Sequence, residues 1–467
     1  MTLASRKILR DLLGAKFWPA TLLFLVSFLA LQLIGVSSGP FLELGSLRAQ
    51  LVGLTEPSTS LSDHQNPAVG PPSGPNVLVK ALSSSATLPP KPKALTGKLC
   101  SVRFMAVGDI LIHQSVRNSA ALPNGSYDFK PAFELVAPIF RQADLVIGNL
   151  ENPLAGSAKG YSGYPMFNAP EQLAQNLKDV GFTSLNLTNN HSLDRGLEGL
   201  KSTIAYVREA KLDYSGAYLD EEDKKNRLVS FYNGVGVALL GYTYGLNVPY
   251  KVEPGLEWRL GVIDKEQVER DVAAARATGA DFVVVSLHFG NEYELKPNAG
   301  QRALAEALFN SPNGAPDLIL GHHPHVVQPF VEFKDKSQAV IFSLGNFISS
   351  QPFPYTFLGL ILDLRLTIHP DGHKSIEEIN FIPTYCHKIQ LKGASRRIFR
   401  VTPMAVAAAS PKSYSLDDKT AKTMAVHLAQ QLTHLKSLDA ESLKAASSAP
   451  SSPKVPSINQ AAAEVSN

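Results

Sequence analysis

The region between residues 99 and 392 alternates short apolar runs with segments of helical character. The runs are rich in β-forming residues, and each one stops at polar residues, as in VRFMAVGD, ADLVIGNLE, FTSLNLTNNH, DFVVVSLHFG, APDLILGHHPH and AVIFSLGNF. The segments between them, such as LEGLKSTIAYVREA and KEQVERDVAAARAT, read as helices. Strands that alternate with helices favour parallel βαβ units with both sheet faces covered. We therefore predict an α/β fold for this region.

Polar residues with ligand chemistry stand where the predicted strands end. In parallel α/β folds, ligands gather at the carboxyl ends of the strands. Here those ends carry Asp, Glu, Asn and His in each case. We single out nine candidate site residues: Asp109, His113, Glu151, Asn190, His191, Asp194, His288, His323 and His325.

The chemistry of these residues indicates a metal site. The set offers carboxylates, an amide oxygen and several imidazoles but no thiolate, which suits Mn, Fe, Zn or Mg. Glu151 follows a buried apolar run, where a carboxylate is costly unless it is paired or bound to a metal. The GHHPH segment places His322, His323 and His325 close together at one strand end. There are enough ligands for two ions, which could clamp the oxygens of an in-line displacement at phosphorus.

His191 is the candidate proton donor for a leaving oxygen. Asp194, three residues further on, could hydrogen-bond the ring and fix its tautomer. Asp194 equally fits the N-cap of the helix predicted to begin in RGLEGLKSTI. The sequence leaves both roles open.

The amino terminus has the pattern of a membrane anchor. Residues 17–36 carry no charge, and a helix of that length, at about 1.5 Å per residue, crosses a hydrocarbon core of about 30 Å. Residues 1–16 are basic and should stay cytoplasmic, so the rest of the chain is expected outside the cytoplasm. A cleaved signal peptide is the competing interpretation, although its apolar region is usually shorter.

The remaining segments flank the predicted domain. Residues 37–98 form a Pro/Ser/Gly-rich tether, and residues 447–467 form a low-complexity tail that we expect to be disordered. Residues 393–446 are predicted as a helical extension, with one amphipathic helix between Ser415 and Leu443.

Charge and cysteine content limit the classes of partner. Lys and Arg number 44 and Asp and Glu number 41, a balance that argues against a nucleic-acid partner. The two cysteines, Cys100 and Cys386, are too few for a thiolate zinc site. They are either one disulfide or two unrelated thiols.

Six motifs between Phe104 and Phe347 resemble the CapA family of bacterial capsule and poly-γ-glutamate synthesis proteins. They are GDILIH, GNLENPL, SLNLTNNHSLDRG, VVSLHFGNEY, GHHPHVVQP and SLGNF, in the order that the family has them. The resemblance implies a four-layer α/β sandwich of the calcineurin-like metallophosphatase type. The anchor, the tether and the C-terminal helix lie outside it.

The resemblance also implies a role for each candidate residue. Asp109 and His113 would be first-strand ligands, and Glu151 the bridging carboxylate. Asn190 would be an amide ligand, His191 the catalytic imidazole with Asp194 as its partner, and His288, His323 and His325 the remaining ligands. The metallophosphatase pattern spaces its first Asp and His more closely than Asp109 and His113, and its bridging residue is usually Asp. His322, Glu292, Tyr293 and Asn346 would line the pocket.

Two functions follow as expectations. The chain is either a metal-dependent phosphoesterase or related hydrolase at the bacterial cell membrane, acting on an envelope polymer or a phosphorylated envelope substrate, or a non-catalytic accessory subunit of a polymer synthesis or export complex with a structural metal. It has no Gly-rich phosphate loop of the Walker type, so it is not by itself an ATP-dependent ligase.

Overall fold

A computed structural model describes residues 97–248, 259–333, 335–390, 397–414 and 416–439. The predicted anchor at 17–36, its basic flank, the tether up to residue 96 and the tail at 447–467 lie outside these ranges. None of the helices within them is long and apolar enough to span a membrane.

The strands of the described residues, in chain order, are β1 (Cys100–Ile110), β2 (Leu145–Leu150), β3 (Ser184–Asn186), β4 (Asp213–Ser215), β5 (Ser230–Tyr232), β6 (Val235–Thr243), β7 (Phe282–His288), β8 (Leu318–His322), β9 (Phe330–Glu332), β10 (Ala339–Ile341), β11 (Asn346–Ile348), β12 (Leu358–Ile368), β13 (Lys374–Gln390) and β14 (Arg397–Pro403). The α-helices are α1 (Gln114–Ala120), α2 (Lys130–Phe133), α3 (Ala137–Phe140), α4 (Gln172–Val180), α5 (Gly196–Glu209), α6 (Glu221–Asn226), α7 (Lys265–Thr278), α8 (Ala299–Phe309), α9 (Met404–Ala409) and α10 (Asp418–Leu435).

The strands form two mixed sheets. The first has the order β14-β13-β12-β1-β2-β3-β4, and β11 also pairs with β1. Strands β1 to β4 are parallel, whereas β12, β13 and β14 are antiparallel to their neighbours. The second sheet has the order β5-β6-β7-β8-β10-β9, with a parallel centre and antiparallel edge strands. The predicted α/β class is therefore confirmed as a mixed α/β fold.

Alternate side chains of the central strands serve two different cores, because successive residues of a strand point to opposite faces. Phe104 and Ala106 of β1 pack in a core that also holds Val284 of β7 and Leu320 of β8, so this core lies between the sheets. Met105 and Val107 pack instead with residues of helices α2 to α5.

The second sheet has the same two-sided packing. Val283 and Val285 of β7 pack with Val268 and Val272 of α7 in a third core. The layers are thus helices, sheet, sheet and helices.

The first sheet extends past the predicted domain boundary at residue 392. Strand β14 pairs with β13 over seven register positions, from Thr384 opposite Pro403 to Gln390 opposite Arg397. The segment 393–446 is therefore not purely helical. Its predicted helix is present as α10, which Asp417 caps by accepting the N–H of Thr420 at 2.7 Å. Met424 of α10 packs against Met404 of α9.

Cys100 and Cys386 are both free and buried. Cys100 belongs to the core between the sheets, and Cys386 to the core on the helical side of the first sheet. The structure thus shows two unrelated thiols.

Candidate metal centre

The carboxyl ends of strands from both sheets meet in one place. Asp109 lies near the end of β1, and Glu151 follows β2 directly. His288 ends β7 and His322 ends β8. Contacts between the residues of the first sheet and those of the second show that they share one site. Asp109 Oδ2 lies 3.1 Å from His325 Nδ1, and Glu151 Oε1 lies 3.4 Å from His288 Nε2.

Gly108 allows strand β11 to approach Asp109. A Cβ atom at residue 108 would lie 1.7 Å from the carbonyl oxygen of Gly345, a distance no real structure tolerates. That carbonyl accepts the N–H of Asp109 at 2.9 Å. Glycine is thus required at position 108 by the close packing, and this packing fixes the backbone of Asp109.

Asp109 is a buried carboxylate with several polar contacts. Its Oδ1 accepts a hydrogen bond from Asn149 Nδ2 at 2.8 Å and lies 3.4 Å from His322 Nδ1. Burial by itself raises the pKa of Asp109, but the nearby imidazoles of His322 and His325 outweigh it and hold that pKa well below its usual range. Asp109 is therefore ionised in this setting.

Glu151 has no such partners. It is fully buried, and neither of its carboxylate oxygens has a hydrogen-bond partner. Burial, together with the negative charge of Asp109, raises the pKa of Glu151 to about 8. A buried carboxylate without donors is costly, and a metal ion would satisfy it.

His288 directs one ring nitrogen towards oxygen atoms. Its Nε2 lies 2.9 Å from Asn190 Oδ1 and 3.4 Å from Glu151 Oε1, while Nδ1 lies 3.4 Å from Asn149 Nδ2. Burial lowers the pKa of His288 well below its usual value, which favours the neutral ring that binds metals.

The turn after β8 presents two more imidazoles. His323 and His325 both have positive φ, at 94° and 58°, a conformation that is uncommon outside glycine. Both are buried, and Nδ1 of His323 has no hydrogen-bond partner. Burial also lowers the pKa of His323 well below its usual value. Strained backbone of this kind clusters at functional sites.

His325 stands among acceptors. Its Nδ1 lies 3.1 Å from both Asp109 Oδ2 and Asn346 Oδ1, and its Nε2 lies 3.9 Å from Glu151 Oε1. Burial works to lower the pKa of His325, but the charges of Glu151 and Asp109 raise it to about 9.

Ligand atoms converge in three overlapping groups within the described residues. Glu151 is shared by two of them, and Glu292 enters the third from the solvent side. The groups are Glu151 with His288 and His323, Asp109 with Glu151 and His325, and Glu292 with His323 and His325. Carboxylates and imidazoles of this kind suit divalent ions. The unpartnered oxygens of Glu151 and the unpartnered Nδ1 of His323 fit such an ion.

The structure does not bring His113 into any of these groups. His113 precedes α1, its ring packs edge-on against Phe167 with centroids 5.2 Å apart, and its Nδ1 lies 3.4 Å from Ser349 Oγ. Burial lowers the pKa of His113 to about 4. Position 111, closer to Asp109 along the chain, is a buried leucine.

His191 and Asp194 form a buried pair beside the ligand groups. His191 Nδ1 lies 2.8 Å from Asp194 Oδ2, and the same oxygen accepts the N–H of Phe167 at 2.7 Å. The N-cap residue of α5 is Arg195, without a side-chain cap. Of the two roles that the sequence left open for Asp194, the structure shows contact with the imidazole.

Asn149 is a site residue that sequence reasoning missed. Its amide group donates to Asp109, approaches His288 and accepts from Asn186 Nδ2 at 3.0 Å. It therefore joins ligands of the two sheets. The available signal was an amide within the apolar run LVIGNL, where a buried polar group needs partners.

The fold and site together define a class: a mixed α/β protein with a buried carboxylate–imidazole centre suited to divalent ions. Residues 103–351, more than half of the chain, match the family model described as bacterial capsule synthesis protein PGA_cap. The chain belongs to this family, so the predicted CapA membership is confirmed.

Similar proteins include two from Bacillus. The chain is 39% identical to the capsule biosynthesis protein CapA of Bacillus anthracis over 259 residues, which cover 54% of this chain and 60% of that one. It is 32% identical to the PGA biosynthesis protein CapA of Bacillus subtilis (strain 168) over 296 residues, which cover 62% and 74%.

Among solved structures, the calcineurin-like phosphoesterase YfkN of Bacillus subtilis aligns with 70% of this chain and 99% of its own, at 14% identity and a TM-score of 0.37. A likeness at this level does not by itself assign an activity.

Proposed function

We propose that this capsule-synthesis protein is a metal-dependent phosphoesterase of the calcineurin-like type, held at the outer side of the bacterial cell membrane. The predicted helix at 17–36 would be its anchor, and a phosphorylated envelope substrate or envelope polymer its target. The layer order of helices, sheet, sheet and helices supports the fold type.

The observation that carries the proposal is the isolation of Glu151. Both of its oxygens are buried without a hydrogen-bond partner, and Oε1 lies 3.4 Å from His288 Nε2 and 3.9 Å from His325 Nε2. A carboxylate placed there only for stability would have hydrogen-bond donors, because such donors offset the cost of burial. A ligand position explains the arrangement.

Two divalent ions would be held by the side chains that converge there: Asp109, Glu151, Asn190, His288, His323 and His325. Bound ions would polarise a phosphoryl oxygen and lower the pKa of water. The chain itself supplies the geometry, since Asn149 and Asn346 hold Asp109 and His325 by hydrogen bonds.

His191 supplies the proton. Its Nδ1–H donates to Asp194 at 2.8 Å, so the proton that passes to the leaving oxygen would be a second one, carried on Nε2 by the imidazolium form of the ring that the Asp194 carboxylate stabilises. Asn247 Nδ2 lies 3.3 Å from that Nε2. The edge-on contact with Phe167, at 4.7 Å between ring centroids, fixes the ring plane.

The test is hydrolysis of phosphomonoester and phosphodiester surrogates by the full chain, with and without Mn²⁺, Zn²⁺ or Mg²⁺. We expect hydrolysis that a chelator abolishes and added metal restores. Bound metal without hydrolysis of any surrogate would favour the accessory role in a polymer synthesis or export complex. If the chain neither bound metal nor hydrolysed any surrogate, the accessory role without a metal would remain.

The membrane location has a separate test. Alkaline phosphatase fused after residue 96 reports an extracytoplasmic position only when it is exported. An active fusion is expected, and an inactive but stable one would contradict the proposed orientation.

A further inference from the structure

The hydrogen bonds of Asn346 determine which nitrogen of His325 keeps its proton when the ring binds a metal ion. Asn346 Nδ2 donates to Gln351 Oε1 at 2.8 Å and to the carbonyl of Thr356 at 2.9 Å. Its Oδ1 is therefore the atom that faces His325 Nδ1. Because Asp109 Oδ2 is an acceptor at the same distance of 3.1 Å, Nδ1 must be the donor.

The other nitrogen of His325 then faces two carboxylates. Nε2 lies 3.9 Å from Glu151 Oε1 and 4.0 Å from Glu292 Oε1. Both distances are too long for an N–H···O hydrogen bond, which spans about 2.7–3.2 Å. Ligands that each lie about 2.1 Å from one ion are separated by roughly 3 to 4.2 Å. Each carboxylate therefore lies at the distance from Nε2 that two ligands of one ion have, and Glu292 forms a ligand group with His323 and His325.

The backbone around Glu292 is fixed to the imidazole turn. Tyr293, with a φ of 65°, donates its N–H to the carbonyl of Pro324 at 2.8 Å. Gln328 Nε2 donates to the carbonyl of Glu294 at 2.8 Å, and His434 Nε2 lies 2.9 Å from the carbonyl of Leu295. The loop that carries Glu292 is thus attached on the side of the site, next to His325.

The backbone before Glu292 is constrained as well. Gly290 has a φ of 103°, and a Cβ atom there would lie 2.5 Å from the side chain of Gln301. Glycine is favoured because an L side chain is strained at this φ and would also displace the end of the Gln301 side chain. The backbone at Glu292 is therefore held beside the site, although the side chain is 43% exposed.

We propose that Glu292 is a metal ligand, which completes on the solvent side the ion that His325 Nε2 binds. The proposal rests on the metal site of the proposed function and adds to it. The proposal also fits the lack of an imidazole ligand next to Asp109. The residue two positions after Asp109 is buried Leu111, and His113 lies outside the ligand groups. Glu292 supplies the donor that the first strand lacks.

The position of Glu292 has a consequence for binding. Glu151 is fully buried, whereas the Glu292 side chain is nearly half exposed. An exposed carboxylate is free to exchange for water at little cost, so the ion that it binds is the weaker of the two. The ion bound by Glu151, His288 and His323 has only buried ligands and is the tighter one.

The experiment is a titration of the metal-free full chain with Mn²⁺, Zn²⁺ and Co²⁺ by calorimetry, with bound metal counted by elemental analysis. The visible spectrum of Co²⁺ reports the number and geometry of ligands. The variant is Glu292→Gln, which keeps the size of the side chain and removes its charge. Glu294→Gln is the matched control, because Glu294 lies on the same loop and accepts a hydrogen bond from Asn291 at 3.1 Å.

We expect wild type and Glu294→Gln to bind two ions of unequal affinity. Glu292→Gln should keep the tighter ion and bind the weaker one at least about 10-fold less well, with a changed Co²⁺ spectrum. The role of Glu292 would be overturned if Glu292→Gln bound both ions with affinities within about threefold of wild type and had an unchanged Co²⁺ spectrum.

The titration separates this inference from the proposed function. A wild-type chain that binds no ion would overturn both. A wild-type chain that binds ions but hydrolyses no phosphoester would count against the phosphoesterase alone, and Glu292 would still be judged by its own binding data. The thermal stability of the metal-free variants shows whether each is folded, and Glu292→Asp, which retains the carboxylate, should recover part of the affinity.

Discussion

Nδ1 of His191 lies 2.8 Å from Oδ2 of Asp194, and that oxygen also accepts the N–H of Phe167 at 2.7 Å. The second contact holds the carboxylate in place, so Asp194 fixes both the tautomer and the orientation of the imidazole. This pair is the part of the site that can move a proton without belonging to the converging ligand groups.

The first prediction concerns that proton. His191→Ala should lower the rate of phosphoester hydrolysis by roughly 10²–10⁴-fold, because a positioned general acid contributes about that much. Bound metal should stay the same, since His191 is in none of the ligand groups. The measurement is kcat together with metal content, and exposed His373 provides the control His373→Ala. An unchanged kcat would remove His191 from the mechanism.

The second prediction concerns the imidazole turn. The double variant His323→Ala, His325→Ala should lose its divalent ions, because these residues contribute to all three ligand groups. Elemental analysis after gel filtration measures the loss. The double variant His369→Ala, His373→Ala is the matched control, since these two rings stack 5.5 Å apart at the turn between β12 and β13. Full retention of metal in the first variant would contradict the site.

The third prediction is the pH dependence of metal affinity. Burial and the charge of Asp109 raise the pKa of Glu151 to about 8, and a carboxylate must lose its proton to bind metal. Below pH 8 the ion therefore competes with this proton. As the pH increases towards 8, the affinity for the metal ion should increase by up to about tenfold per pH unit. Above pH 8 the contribution of Glu151 levels off. His325, with a pKa raised to about 9, adds to the dependence in the same direction.

Calorimetry at pH 7 in buffers of different ionisation enthalpy counts the protons released on metal binding. We expect at least one, and about one fewer in Glu151→Gln, which has no proton to release at that position. Metal binding without proton release in the wild-type chain would show that Glu151 is ionised before the ion arrives.

The fourth prediction concerns Gly108. Gly108→Ala should destabilise the fold by more than about 3 kcal/mol, beyond the usual cost of overpacking, because its Cβ would meet backbone rather than a flexible side chain. Urea unfolding measures the change. Gly245→Ala is the control, since nothing lies within 4 Å of a Cβ there, and it should stay within about 0.5 kcal/mol. Equal stability of the two variants would show that β11 can move away from β1.

Much of the site could be predicted from local patterns in the sequence. The apolar runs that become β1, β2, β7 and β8 end where the chain turns polar, so Asp109, Glu151 and His288 could be placed at strand ends from sequence alone. Other features were not accessible. Strand β14 lies in the segment that was predicted to be helical, and its pairing with β13 makes it part of the first sheet.

Asn149, Glu292 and His113 show the limit more sharply. Asn149 contacts His288, 139 residues distant, and Glu292 comes near His323 and His325 because Tyr293 beside it donates its N–H to the carbonyl of Pro324. His113 follows Asp109 closely in sequence, yet it packs against Phe167 and stays out of the ligand groups. Closeness along the chain did not decide membership of the site.

The sequence by itself determined the chemical inventory: which ligand types stand at strand ends, and which family the chain resembles. These depend on local patterns of burial and on motif order. The tertiary structure decided which ligands meet, which carboxylate is left without donors and which nitrogen of His325 faces Glu292. Those outcomes depend on distances between chain segments, such as Asp109 and His325 at a separation of 216 residues, and such distances are set only when the two sheets pack together.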